Sequence, residues 1–151
     1  MYKSILIAID LTANAANRVL AAAQAFAAAS AKGARLDVVH VVEPQYVQYS
    51  FDPTFTGSLT RALEKDALEG AAERVAELCK PFAIPRDAQH VPLGRAADQI
   101  HETARSQGAD LIVIGSHGHH GWRMLLGSTA NAVLHGAPVD ALVIRIPKES
   151  D

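Results

Sequence analysis

The stretch that decides the fold is residues 110–129, DLIVIGSHGHHGWRMLLGST, in which an apolar run passes directly into glycines. The run at 111–114 predicts a strand that is buried on both faces, as in a parallel sheet. Glycine backbone can approach a ligand without a Cβ, and the first N–H groups of a helix have no partner within it. The stretch therefore predicts an anion site, with phosphate the favoured anion. Its glycine and hydroxyl residues are Gly115, Gly118, Gly127, Ser128 and Thr129.

Apolar strand patterns alternate with helical patterns along the rest of the chain. This alternation predicts a three-layer α/β fold, an open parallel five-stranded sheet with helices on both faces. Right-handed crossovers allow few strand orders, and the order 3-2-1-4-5 is favoured. The predicted strands are 4–10, 35–43, 88–92, 110–115 and 140–146, and the predicted helices are 13–31, 59–80, 95–107 and 128–136. Pro92 indicates an edge position for the third strand.

The strand order predicts where a ligand binds. In open α/β sheets the ligand lies at the carboxyl ends of the strands, where the order reverses. Here that point falls between the first and fourth strands, so Asp10, Leu11 and Thr12 should meet the glycine loop. Asp10 and Thr12 are also good helix-capping residues, and capping and ligand contact can coexist. His40, in the middle of the second strand pattern, is interpreted as a hydrogen-bonded core histidine.

Composition limits the class of protein. The 151 residues suffice for one domain, 1–151, and 49% apolar with 20% charged residues is typical of a globular protein. A formal net charge of -2 and the lack of a basic run argue against a nucleic-acid partner. Neither a leader pattern nor an apolar run of ~18–20 residues is present, so we expect a cytoplasmic protein with no membrane contact. The single cysteine, Cys79, is expected to be a buried small hydrophobe.

The glycine spacing carries a family resemblance. G-x-x-x-x-G-K-[ST] and G-x-G-x-x-G are both absent, and the chain has G-x2-G, eight residues, then Gly127 and Ser128. This resembles the nucleotide motif of the universal stress protein family, G-x2-G-x9-G-[ST], with one residue fewer. The resemblance continues in YKSILIAIDLT, LDVVHVVEP and LLGSTANAVLHGAPVDALVIR. The chain is thus similar to single-domain members of the universal stress protein A group, whose fold is adenine nucleotide α-hydrolase-like.

The resemblance implies a stress-response protein that binds ATP or AMP, either with or without Mg²⁺. Asp10 would approach the ribose or the adenine, and Leu11 and Thr12 would line the same wall. Val41 would offer backbone hydrogen bonds to adenine.

At the other end of the nucleotide, the resemblance implies contacts through backbone N–H groups. Gly115, His117 and Gly118 would hold the ribose and the first phosphates. The outer phosphates would be bound by Gly127, Ser128 and Thr129.

The resemblance also implies a homodimer formed by pairing of the last strand, 140–146. A sheet edge there would present unpaired backbone groups beside apolar side chains, which a symmetric partner would cover. The alternative is an edge protected by Arg145 and Pro147. No nucleophile–base set and no carboxylate cluster for Mg²⁺ is evident in the sequence, so we expect at most very slow ATP hydrolysis.

Two other functions remain open at this point. The first is an interaction module that binds no nucleotide and acts through the dimer edge and the aromatic loop 44–58. This loop either forms a lid or partner surface, or folds back and seals part of the core. The second is a metal protein, since His117, His119 and His120 fall within four residues and imidazole is a common Zn²⁺ ligand.

Overall fold

The computed structural model of the chain describes residues 1–44, 57–117 and 127–147, without the side chains of Ser58 and His117. The helices are α1 (Ala13–Ser30), α2 (Gly57–Cys79), α3 (Ala96–Gln107) and α4 (Ser128–Leu134). The strands are β1 (Ser4–Ala8), β2 (Arg35–Val39), β3 (Gln89–His90), β4 (Leu111–His117) and β5 (Asp140–Ile146). In these ranges the strands form one parallel sheet in the order β3-β2-β1-β4-β5, which confirms the predicted α/β fold and strand order.

The centre of the sheet is apolar on both faces. Ile5, Leu6 and Ile7 of β1 have no solvent exposure, because β1 lies between β2 and β4. Ile5 and Ile7 pack against α1 and α2, whereas Leu6 packs against α3 and α4. Burial of one such side chain stabilises the fold by roughly 1.5–3 kcal/mol, so helices on both faces are energetically required.

Small residues bring α1 close to the sheet. Ala16 and Ala23 are fully buried at positions where larger side chains would hold the helix away. Cys79, at the end of α2, lies in the same apolar cluster, and burial raises the pKa of its thiol to about 11. A thiol that stays protonated is a poor nucleophile, so Cys79 is the buried small hydrophobe that was predicted.

Strand ends differ from the predicted bounds. β1 ends at Ala8 instead of Asp10, and β2 ends at Val39 instead of 43. β4 continues past Gly115 to His117, because β5 pairs with it as far as the residue pair His117 and Ile146. Gly115, the last residue of the predicted strand, therefore lies inside β4 and not at its end. β3 has only two residues and lies at the edge, as predicted.

No helix within the described ranges has the length and apolar character that crossing a membrane requires. The aromatic residues of the predicted loop between 45 and 56, and the insert 118–126 with His119 and His120, lie outside the described residues.

Candidate functional site

A large cavity opens at the carboxyl ends of β1, β2 and β4, where the strand order reverses. Its volume is about 1430 Å³, above the roughly 300–1,000 Å³ typical of ligand pockets. The wall includes seven residues that the sequence predicted for the site: Asp10, Leu11, Thr12, Val41, Gly115, Ser128 and Thr129. Segments about 100 residues apart in the chain thus meet at one cavity, which the predicted topology required.

The other three predicted residues do not line the described wall. Gly127 precedes α4 as its N-cap residue, with extended backbone. His117 is the last residue of β4, and only its backbone is described. Gly118 lies outside the described residues.

The turn after β1 is closed by Asp10. Its Oδ1 accepts a hydrogen bond of 2.9 Å from the N–H of Thr12, which is the N-cap residue of α1. The Thr12 carbonyl accepts the first helical hydrogen bond of α1, from Ala16. The Thr12 N–H is consequently satisfied within the protein, and Asp10 both shapes the turn and lines the cavity.

The start of α4 offers polar groups to the cavity. The first helical bond joins the Asn131 N–H to the Gly127 carbonyl, and Gly127 provides no side-chain cap. Among the described residues, the N–H groups of Ser128 and Thr129 have no hydrogen-bond partner. With seven residues α4 has a small dipole, so these amides and hydroxyls matter more than the helix as a whole.

Val41, elsewhere on the cavity wall, has both its backbone N–H and its backbone C=O unpaired among the described residues. Its neighbours His40 and Val42 donate their N–H groups to the carbonyls of His90 and Pro92, at 3.0 and 2.9 Å. In the described part of the chain, neither the N–H nor the C=O of Val41 has a hydrogen-bond partner. A donor and an acceptor from one residue therefore remain available on the cavity wall.

His40 lies beside this group rather than in the core. His40 lines the cavity, and its Nδ1 is 3.0 Å from the carbonyl oxygen of Ile9. The ring is hydrogen-bonded, as the sequence predicted, but the location on the cavity wall was not expected. Glu43 was also missed as a site residue: its Oε1 accepts the N–H of Ala96 at 3.0 Å and so caps α3 beside the cavity.

Charge on the wall is unevenly distributed. Among the described residues, Arg18 is the only lysine or arginine that lines the cavity, and its Nε donates to the carbonyl of Arg145 at 2.8 Å. The carboxylates of the wall are Asp10, Glu43, Glu64 and Asp66. Arg18 was not among the predicted site residues, although Asn14 and Arg18 form a polar i, i+4 pair on an alanine-rich helix that starts at the cavity.

One side of α2 completes the wall, which the sequence analysis had interpreted only as a helix on the sheet. Leu63 is half exposed at the cavity, and Gly70 faces space that holds no atom within 4 Å of a Cβ position. Apolar surface near a few polar groups is the usual composition of a site for a small organic ligand.

No group of three potential metal ligands occurs among the residues whose placement is described. The side chains of His117, His119 and His120 are not part of that set, so the histidine-loop metal hypothesis rests on the sequence alone.

Comparisons with known proteins agree on one family. A model of the universal stress protein family matches residues 1–145. Universal stress protein A homolog 1 of Coxiella burnetii is 39% identical over 143 residues, which cover 95% of this chain and 96% of that protein. Among solved structures, that of hypothetical protein MJ0577 superposes on this chain with a TM-score of 0.76, and the alignment covers 99% of both chains at 22% sequence identity. A universal stress protein solved in complex with cAMP is 20% identical, with a TM-score of 0.54 over 95% of this chain and 97% of that chain.

Proposed function

The chain belongs to the universal stress protein family, and from that premise we propose that it binds an adenine nucleotide, ATP or AMP, in the cavity at the carboxyl ends of β1, β2 and β4. Nucleotide binding would make it a regulatory module of the stress response rather than a dedicated enzyme. A family neighbour solved with cAMP supports an adenine nucleotide as the ligand class.

The proposal rests mainly on Val41, whose backbone N–H and C=O lie on the cavity wall without a partner among the described residues. The Watson–Crick edge of adenine has an acceptor, N1, next to a donor, the exocyclic amine. A backbone N–H and C=O of one residue can pair with these two groups. Asp10 lies on the same wall, where a carboxylate can accept hydrogen bonds from ribose hydroxyls.

The phosphate end is supported by different groups. Ser128 and Thr129 bring hydroxyls and amides to the cavity, and Gly115 lies on the floor between them and β1. Arg18 adds the cation. For Gly118, Gly127 and His117 the phosphate role remains the prediction made from the sequence. Mg²⁺ with a triphosphate would offset the carboxylates of the wall.

The direct test is isothermal titration of the purified protein with ATP, AMP and adenosine, each with and without Mg²⁺. We expect saturable binding of ATP or AMP at one site per chain. Absence of heat and of any shift in melting temperature at millimolar ligand would reject the proposal. In that case the non-nucleotide interaction module becomes the better hypothesis.

We also propose a homodimer through β5. Within the described sheet β5 is an edge strand, and Leu142, Val143 and Ile144 are only partly buried. An apolar edge with unpaired backbone groups favours pairing with a second copy. Light scattering on a size-exclusion column should give twice the chain mass of 16.0 kDa, and a monomer at micromolar concentration would reject this part. Cytoplasmic location stays a prediction.

A further inference from the structure

The β1–β2 ladder stops at an unusual place. The Ile9 N–H donates to the Val39 carbonyl at 3.0 Å, which continues the parallel pattern one residue beyond β1. In a parallel ladder a residue bonds the two residues that flank its partner, so the Ile9 carbonyl should next accept the N–H of Val41. Instead, the Nδ1 atom of His40 lies 3.0 Å from the Ile9 oxygen. A side chain thus stands where the next rung of the ladder would be.

The chemistry of this contact is determined by its acceptor. A carbonyl oxygen can only accept, so Nδ1 of His40 carries the proton and donates to Ile9. The Val41 N–H, which would otherwise take this acceptor, has no partner among the described residues. The backbone of His40 and Val42 is held on the other side by His90 and Pro92. Val41 is therefore flanked by two hydrogen-bonded residues, and its own backbone N–H and C=O remain available to the cavity.

We infer that His40 is a positioning residue: by bonding the Ile9 carbonyl it keeps the Val41 N–H unpaired, so that this donor and the unpaired Val41 C=O beside it are preorganised for the edge of a planar base. The inference rests on the proposed function and deepens it by naming the group that sets base selectivity. Adenine presents a donor and an adjacent acceptor to this pair. Guanine in the same orientation presents the reverse pattern, a carbonyl acceptor and an N–H donor, and would be rejected.

Substitutions of His40 separate the donor from the ring. In H40N the side-chain amide nitrogen can take the place of Nδ1 and donate to Ile9. In H40F the ring is kept and the donor is lost, and in H40Q the amide sits at the position of Nε2, out of reach of Ile9. We expect H40N to bind ATP within about threefold of the wild type, and H40F and H40Q to bind about tenfold more weakly.

Two readouts distinguish positioning from a merely structural role. The first is hydrogen exchange of the Val41 amide in the nucleotide-free protein, measured by NMR, which should become slower in H40F and H40Q as Val41 pairs with Ile9. The second is the ratio of the ATP and GTP dissociation constants, which should move towards one in both variants and stay near the wild-type value in H40N.

Unchanged Val41 exchange in H40F and H40Q, or weaker ATP binding with an unchanged ATP to GTP ratio, would overturn the inference. If H40F does not fold, H40Q provides the same comparison with H40N. If the wild type binds no nucleotide, the proposed function fails, and the exchange measurement alone then decides whether His40 keeps Val41 unpaired.

Discussion

A Cβ atom placed on Gly115 would lie 2.5 Å from Cδ1 of Ile146. The same Cβ would be 2.9 Å from Cγ2 of Val19 on α1. The sequence predicted that Gly115 lets a ligand approach the backbone. The structure adds a second reason for glycine: β4 is covered so closely by α1 and by the end of β5 that there is no room for a side chain.

This relationship predicts that G115A destabilises the protein by about 1–2 kcal/mol, because the inserted methyl group overpacks the site. The atoms it meets are the ends of side chains, which can move at moderate cost. Adding I146V, which removes Cδ1, should recover part of the loss, so that the two substitutions couple. Urea denaturation of the single and double variants measures this, and a G115A variant as stable as the wild type would disprove it.

Arg18 is predicted to recognise the anionic part of the nucleotide. R18Q should weaken ATP binding by about tenfold, about 1.4 kcal/mol, and leave adenosine binding unchanged, because adenosine carries no phosphate. Titration at two salt concentrations should also show a smaller salt dependence in the variant.

R86Q is the matched control for R18Q. Arg86 is exposed in a short 3-10 turn before β3 and does not line the cavity, and its loss changes the net charge equally. Equal effects of R18Q and R86Q on ATP would mean that net charge, and not a contact of Arg18, is responsible.

Asp110 links stability to pH. Burial alone would raise the pKa of this carboxyl, but hydrogen bonds from the N–H groups of Lys3 and Ser4, with the nearby N-terminal ammonium, lower the pKa overall. A lowered folded-state pKa contributes stability above the unfolded value of about 4, and this contribution is lost as the pH falls through the folded value.

D110N should therefore be less stable than the wild type at about pH 7, and the difference should shrink progressively as the pH falls below about 4, because the wild-type carboxylate loses its contribution as it is protonated. Chemical denaturation at about pH 7 and at a series of acidic pH values measures the difference. A gap that persists undiminished at the acidic pH values would contradict the assigned role of the charge.

The ion pair of Asp37 and Arg35 should lose different amounts of unfolding free energy when one or the other partner is replaced. Asp37 is 3% exposed in β2 and bonds Nε of Arg35 at 2.6 Å and Nε2 of His90 at 3.0 Å. The Arg35 side chain is 53% exposed. Removing the arginine leaves a buried carboxylate with fewer partners, whereas removing the carboxylate leaves a cation that water can solvate.

R35M should consequently cost about 2 kcal/mol of unfolding free energy and D37N about 1 kcal/mol. The double variant should cost less than the sum of the two. Urea denaturation of all three gives the coupling energy, and a larger loss in D37N than in R35M would reverse the argument.

Positions that depend on chain topology were predicted correctly. Asp10 and Gly115 were predicted to meet because alternating strand and helix patterns left few strand orders, and the observed order, with both residues on one cavity, is the predicted one. Residues whose roles depend on contacts across strands were missed. Arg18 lies on the cavity wall and bonds the carbonyl of Arg145, 127 positions away, and no local pattern indicates that bond. His40 was taken for a core residue because strand periodicity does not show where a ladder stops.

The sequence by itself determined the order of elements, the buried faces of β1 and β4, and the edge of the sheet at which the cavity opens. These follow from periodicity and strand connectivity, which are properties of the chain. Tertiary structure alone decided that His40 takes the Ile9 carbonyl, that Val41 stays unpaired, and that Gly115 has no room for a Cβ. Such features depend on the register and close packing of neighbouring strands and helices, and these exist only in the folded protein.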